Sequence, residues 1–224
     1  MATAKKGSII FVRDNYCKVQ YVHRFADLDK MGAKLVKFLR SHTIEELNAI
    51  YDKLILVDED DPMTAEQKEA YKKYIPEQLW SEDLTWTKAL AYTKNALKPI
   101  EDGFPYIVDY AGFLPTWTNR YRYMIDLDRN LFQITKGGLE CIGAEDNYQW
   151  NPDSYPDSIA PLVLGQFRLD DVPEDAIQQC RDEFRKYVLK YVPVYFDMQE
   201  ANRWEDDADA QHDAKKMAYF IGIK

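Results

Sequence analysis

A chain of 224 residues can bury a core without disulfide or metal staples, and 46% hydrophobic with 30% charged residues places it among globular rather than disordered proteins. Its net charge of −9 and pI of about 4.9 argue against nucleic-acid binding through the whole surface, because neutralised phosphates supply most of that affinity. Three cysteines, Cys17, Cys141 and Cys180, none in a CxxC spacing, give no disulfide framework and no zinc-ligand pattern.

The apolar run Ile9 to Val12 is too short for a signal peptide or a membrane span, so a cytoplasmic protein with no membrane partner is expected. Residues 8–13 and 17–23 read as a hairpin, with Asp14-Asn15-Tyr16 as the turn. A helix should run from near Asp29 to Arg40, with Met31, Leu35, Phe38 and Leu39 as its buried stripe and Gly32 allowing close approach to the sheet.

Thr43-Ile-Glu-Glu46 is a capping box opening a helix through Leu54, and Thr64-Ala-Glu-Gln67 is a second, leading a polar helix to Ile75. Between them Asp58-Glu-Asp-Asp61 reads as a loop, since four adjacent carboxylates cannot all point at one ion. Ser81 is expected to cap a longer helix to about Lys98, ended by Pro99 and Gly103. Residues 104–110 read as a strand broken by Gly112 and Pro115.

The clearest signal covers 117–135. Tyr121, Tyr123, Ile125 and Leu127 alternate with Arg122, Met124, Asp126 and Asp128, and Asp128-Arg-Asn130 separates them from a second apolar run. Residues 136–161 form a long loop rich in Gly, Pro, Asn and Asp. A strand follows at 162–169, then a helix that begins with Pro173 and carries Ile177, Cys180, Phe184, Val188 and Tyr191 on its apolar stripe. An acidic, helical segment runs to Lys216, and an apolar tail, 218–223, packs back or adds an edge strand. The whole reads as one α+β domain, 1–224, with a mostly antiparallel sheet built from hairpins and layered with helices.

The phosphate loops, the GxSxG elbow and the HExxH helix are missing, and neither cofactor nor metal is expected. Of three histidines, His42 and His212 sit in charged, exposed contexts. His23 ends the second strand just before a helix, where a side chain can face a ligand. Asp126 and Asp128, two apart on a strand, point the same way and sit roughly 7 Å apart, a spacing that suits a guanidinium or ammonium clamp or an acid–base pair. Cys141 is the one cysteine outside an apolar stripe. The 16 tyrosines and 5 tryptophans fit a core edge with wet polar tips or the walls of a pocket.

Two segments carry a resemblance. His23-Arg-Phe-Ala-Asp-Leu-Asp-Lys-Met-Gly32 with Leu35 resembles the His-x-Asp-Gly-Tyr-Pro-x-Gly-x-Gly-x-x-Leu segment of uncharacterised phage and bacterial proteins. Tyr123-Met-Ile-Asp-Leu-Asp128 with Phe132, then Phe167-Arg-Leu-Asp-Asp-Val-Pro173, is similar to a large family of uncharacterised fungal proteins. Phe25-Ala26 replaces the Asp-Gly of the first pattern, and Asp27 supplies that carboxylate only with a shift of one or two residues. The resemblance extends to fungal arginine-dependent cyclodipeptide synthases, although no catalytic residue of theirs matches here one by one.

That resemblance implies a transferase with a small cationic substrate and aminoacyl-tRNA as its donor. From the reading of the residues themselves, not from the resemblance, His23 and Asp126 would be catalytic, and Asp128, Tyr121, Tyr123 and Asp27 would bind substrate. The acidic pI disfavours the tRNA partner, so a basic helix face (Lys34, Lys37, Arg40 with Arg181, Arg185 and Lys186) would have to meet it. The alternatives are a non-enzymatic ligand- or partner-binding protein of phage-defence type and a small hydrolase.

Overall fold

Asp14 and Asn15 both adopt positive φ, 55° and 58°, the conformation a two-residue hairpin turn demands and short polar side chains tolerate. They join β1 (Gly7–Arg13) to β2 (Tyr16–Val22). The computed structural model describes residues 6–93, 95–109, 120–136 and 162–186. After β2 one turn of π-helix, Leu28–Gly32, runs directly into α1 (Ala33–Arg40). The carbonyl of Asp27 receives the amides of Lys30, Met31 and Gly32 together, which widens this first turn.

Thr43 and Glu46 exchange the expected reciprocal bonds at the start of α2 (Ile44–Lys53). At its other end the Lys18 ammonium, reaching over from β2, donates to the carbonyls of Tyr51 and Leu54 at 2.8 and 2.7 Å. A cation thus satisfies helix-terminal carbonyls and fastens α2 to the sheet. β3 (Ile55–Val57) follows, a strand too short for periodicity to reveal. In the acidic loop the carboxylates of Asp58 and Asp61 fold back onto the amides of Asp60 and Asp58. The second capping box opens α3 (Ala65–Tyr71), which tightens into a 3₁₀ turn at Lys72–Tyr74.

The single helix expected from Ser81 to Lys98 is two. Thr85, rather than Ser81, caps α4 (Trp86–Tyr92) by accepting the Lys88 amide. α5 (Lys98–Glu101) is separate, and Pro99 lies in its first turn, where the missing N–H has no partner to lose. Proline therefore opens a helix where it was expected to close one.

β4 (Tyr106–Val108) pairs in parallel with β3. β5 (Tyr121–Asp126) turns through residues 127–130, with Asn130 at φ 53°, into β6 (Leu131–Lys136). β7 (Leu162–Arg168) is the next described strand. Pro173 does not begin the last described helix: its carbonyl accepts the Ala176 amide, and α6 covers 176–186. Gly112, Pro115, residues 117–119 of the expected hairpin, Cys141, residues 137–161 of the long loop, Val188, Tyr191, His212, the acidic segment and the tail lie outside the described residues.

The main sheet has the order β2-β1-β5-β6-β7. Three of its pairings are antiparallel, and β1 with β5 is parallel at the centre, so the chain has an α+β fold with a mostly antiparallel sheet. The parallel pair needs a long crossover, and α1 to α5 occupy it. Ile9, Phe11, Tyr123, Ile125, Phe132 and Ile134 point from one face into the main core, against Met31, Leu35 and Leu39 from the helical layer. A second core surrounds Trp86, Tyr71 and Phe104, with Tyr21 and Tyr106 packed at its edge. Its rings meet mostly edge to face, the Tyr71–Phe104 centroids lying 5.1 Å apart. Much of the aromatic content is therefore core. No helix among the described residues is long and apolar enough to cross a membrane.

Candidate functional site

The structure separates the predicted site residues into three places. Tyr121 and Tyr123 lie on the helix-facing side of β5, nearly parallel with centroids 6.4 Å apart, and are 8% and 0% exposed. The Tyr123 hydroxyl donates to the Ala26 carbonyl at 2.7 Å. Burial drives both phenols far above their ordinary pKa, and the nearby Asp27 carboxylate adds to the shift. Asp27 is itself buried, at the head of the π-turn. These three residues are a packed seam between sheet and helix. They do not line an open pocket, as had been expected of the two tyrosines.

Asp126 and Asp128 lie at the opposite end of β5. They do not share a strand face: Asp126 is the last residue of β5, and Asp128 stands in the following turn. Asp126 is 4% exposed and accepts the Arg129 amide at 2.9 Å, with the Arg129 guanidinium at 3.7 Å. Asp128 is exposed and accepts the amides of Asp14 and Asn15 at 2.9 and 3.2 Å. Those two bonds hold its carboxyl below the ordinary carboxylate range. Both acids are committed to turns; neither forms half of a clamp.

His23 follows β2 at the other end of the sheet. Its Nδ1 lies 3.2 Å from the Tyr21 hydroxyl, and the two rings meet edge to face. Loss of solvent, then Arg24 and Lys6, push its pKa down. The register sets its distance from Asp126. Val22 pairs with Gly7 and Gly7 with Tyr121, five residues before Asp126, so roughly 17 Å of strand separates the proposed catalytic pair. The structure does not bring them together.

Among the described residues no group of three or more His, Cys, Asp or Glu side chains could hold a metal ion. Cys180 is fully buried, and burial pushes its thiol up to about 12, which makes it inert. Cys17 is half-buried, and its thiol is raised by burial first and then by Asp126. His42 packs its ring on Phe38 and places Nδ1 2.8 Å from the Phe38 carbonyl.

Two grooves open on the helical side. One, of about 290 Å³, lies between α2 and α5 and is lined by His42, Ile50, Lys53, Ile100 and Phe104 among others. The larger, about 600 Å³, is an open trough along the outer side of the π-turn and α1, lined by Phe25, Asp29, Lys30, Ala33, Lys34 and Lys37. Neither includes any of the six predicted site residues.

The larger groove combines an exposed ring at an unusual backbone position with a row of lysines. Phe25 is 41% exposed and sits at φ 62°, a region that costs a bulky L-residue about 1–2 kcal/mol. The Lys30 ammonium rests 4.2 Å from the centre of its ring. The one acid in the groove, Asp29, is paired with Arg181 of α6. No acidic partner for Lys34 or Lys37 appears among the described residues. The result is a row of three lysines beside a displayed aromatic ring, on a chain that is acidic overall.

Sequence reading noted Lys34 and Lys37 as part of a basic helix face but passed over Lys30 and treated Phe25 only as a departure from a pattern. The signal was present in the i, i+4, i+7 spacing of Lys30, Lys34 and Lys37, one residue out of step with the buried Met31–Leu35–Phe38 stripe and so on a different face. Arg40 belongs elsewhere: its guanidinium donates to the Val172 carbonyl and ties α1 to the segment after β7. Comparison with protein-family models, with curated proteins and with solved structures finds no match to this chain.

Proposed function

We propose that this protein is a binding module that holds an anionic partner in the groove formed by Phe25, Lys30, Lys34 and Lys37. One observation carries the reading: three aligned ammonium groups flank a ring kept exposed at a strained backbone position. Strain of that kind persists where a site benefits from it. The chain as a whole carries a net charge of −9, so a polyanion is drawn to a local row of cations rather than to the protein in general.

A transferase acting on a cationic substrate draws less support from the geometry. It needs His23 and Asp126 in one pocket, and the register sets them roughly 17 Å apart along the strands. It also needs Asp126 and Asp128 side by side, and each is occupied by a turn. The binding reading requires neither.

The test is a thermal shift with inorganic polyphosphate at low salt. A ligand that binds only the folded chain raises Tm by mass action. The rise should vanish in the Lys34→Glu/Lys37→Glu variant, whose own Tm stays close to the parent's because both side chains are exposed. An equal response from parent and variant, or none from the parent, would overturn the proposal.

A further inference from the structure

We infer that the anionic partner is a single-stranded nucleic acid, whose bases stack on Phe25 while its phosphates meet Lys30, Lys34 and Lys37. The inference rests on the binding function proposed above and names the ligand class for the same groove. Its warrant is the pairing of an aromatic ring with a row of cations. A nucleic-acid strand offers both a flat π-face and a charged backbone at short, regular spacing, and sequence-tolerant binding sites exploit both at once. An exposed ring adds little to the capture of bare phosphate, so a groove for that anion would have no use for Phe25 at φ 62°.

The shape of the groove agrees. It is open rather than enclosed, and Ala33 and Phe25 line it together with three lysines, whose aliphatic stems add apolar surface on which a planar base can lie. Seven residue steps lead from Lys30 in the π-turn to Lys37 in α1, roughly 10 Å at the α-helical rise, a span that a few nucleotides cover. Asp29 would repel the strand were it free, but Arg181 neutralises it. Duplex nucleic acid hides its base faces and cannot use the ring.

The test is fluorescence anisotropy of the full chain with four labelled ligands of equal charge: oligo(dT), oligo(U), an abasic phosphodiester oligomer and oligo-glutamate. Either base-bearing strand should bind more tightly than the abasic one. Phe25→Ala should weaken base-bearing strands about 5- to 150-fold, the range for one stacked base, and leave the abasic oligomer unchanged. With three lysines on phosphates, log K against log salt should fall with a slope of about −2. The ratio of oligo(dT) to oligo(U) affinity then tells which backbone the groove prefers.

Two outcomes overturn the inference while leaving the anion-binding groove intact. One is equal binding of base-bearing and abasic strands with no effect of Phe25→Ala. The other is tighter binding of oligo-glutamate, which would assign the groove to an acidic peptide. If none of the four ligands binds, the groove has no polyanion partner and both readings fall. Phe25→Gly serves as the folding control: it relieves the positive φ, should not lower Tm, and should lose binding as Phe25→Ala does.

Discussion

The carboxylate of Asp128 receives the backbone N–H of Asp14 at 2.9 Å, across 114 positions of sequence. A second bond from Asn15 completes the clamp. One turn residue thereby braces the neighbouring hairpin turn, whose two residues both carry positive φ and present their amides outward. Both bonds favour the charged form, and burial is too slight to offset them, so the pKa of Asp128 is lowered from 3.8. The stability it contributes is complete above 3.8 and is lost as the pH falls through the depressed folded value. Asp128→Ala should lower Tm at pH 7, and parent and variant should converge in acid below pH 3.8. A difference in Tm that persists unchanged into strong acid would show that the carboxylate charge is irrelevant.

Asp126 acts within its own turn. It is buried, and it accepts the Arg129 amide at 2.9 Å where β5 leaves the sheet. Asp126→Ala leaves that partly buried N–H without an acceptor, at a cost of about 1–3 kcal/mol. Asp126→Asn keeps an acceptor oxygen and should cost less. Urea unfolding of the two variants decides the matter. If Asp126→Ala unfolds at the parent's urea midpoint, the bond contributes nothing and Asp126 is free for another role.

These two acids show where sequence reading succeeded and where it stopped. The alternation around Tyr123 identified the strand, its buried face and the following turn, because period-2 burial is a local property. It also placed Asp126 and Asp128 near one another. What it could not supply was their partners. Asp128 bonds to a hairpin more than a hundred residues away, and β1 lies beside β5 only because the helical crossover returns the chain in parallel.

The capping boxes at Thr43 and Thr64 were legible for the same local reason, and the Thr85 cap was missed because no capping-box acid follows it. The separation of His23 from Asp126 is a matter of register across three strands, which no pattern within one strand encodes. Phe25 was unreadable in another way. Its significance lies in a positive φ, and nothing in the side chain announces that conformation.

Gly165 of β7 faces α6 at a distance that leaves no space for a methyl group. A Cβ there would lie 2.7 Å from the Cys180 Sγ and 2.7 Å from the Phe167 ring. Overpacking of this kind costs typically about 1–3 kcal/mol. Gly165→Ala should therefore destabilise the fold, and Cys180→Ala in the same chain should recover part of the loss. A double-mutant cycle should give a coupling of about 0.5–3 kcal/mol. Strict additivity would mean that the strand moves away from α6 instead of pressing on it.

His23 supplies the last prediction. Its imidazole is held below the ordinary 6.5 by loss of solvent first, and then by the positive charges of Arg24 and Lys6. The folded state thus prefers the neutral ring, and on acidification the unfolded chain takes up the proton first. Stability from this site is present above pH 6.5 and declines as the pH falls through the depressed folded value. An NMR titration of the ring protons should give a midpoint below 6.5 for His23. His23→Gln, which retains an acceptor for the Tyr21 hydroxyl 3.2 Å from Nδ1, should flatten the fall in Tm between pH 7 and pH 5 relative to the parent. A midpoint above 6.5 would require an acid near the ring, and with it the acid–base partner that Asp126, at the far end of the sheet, is too distant to be.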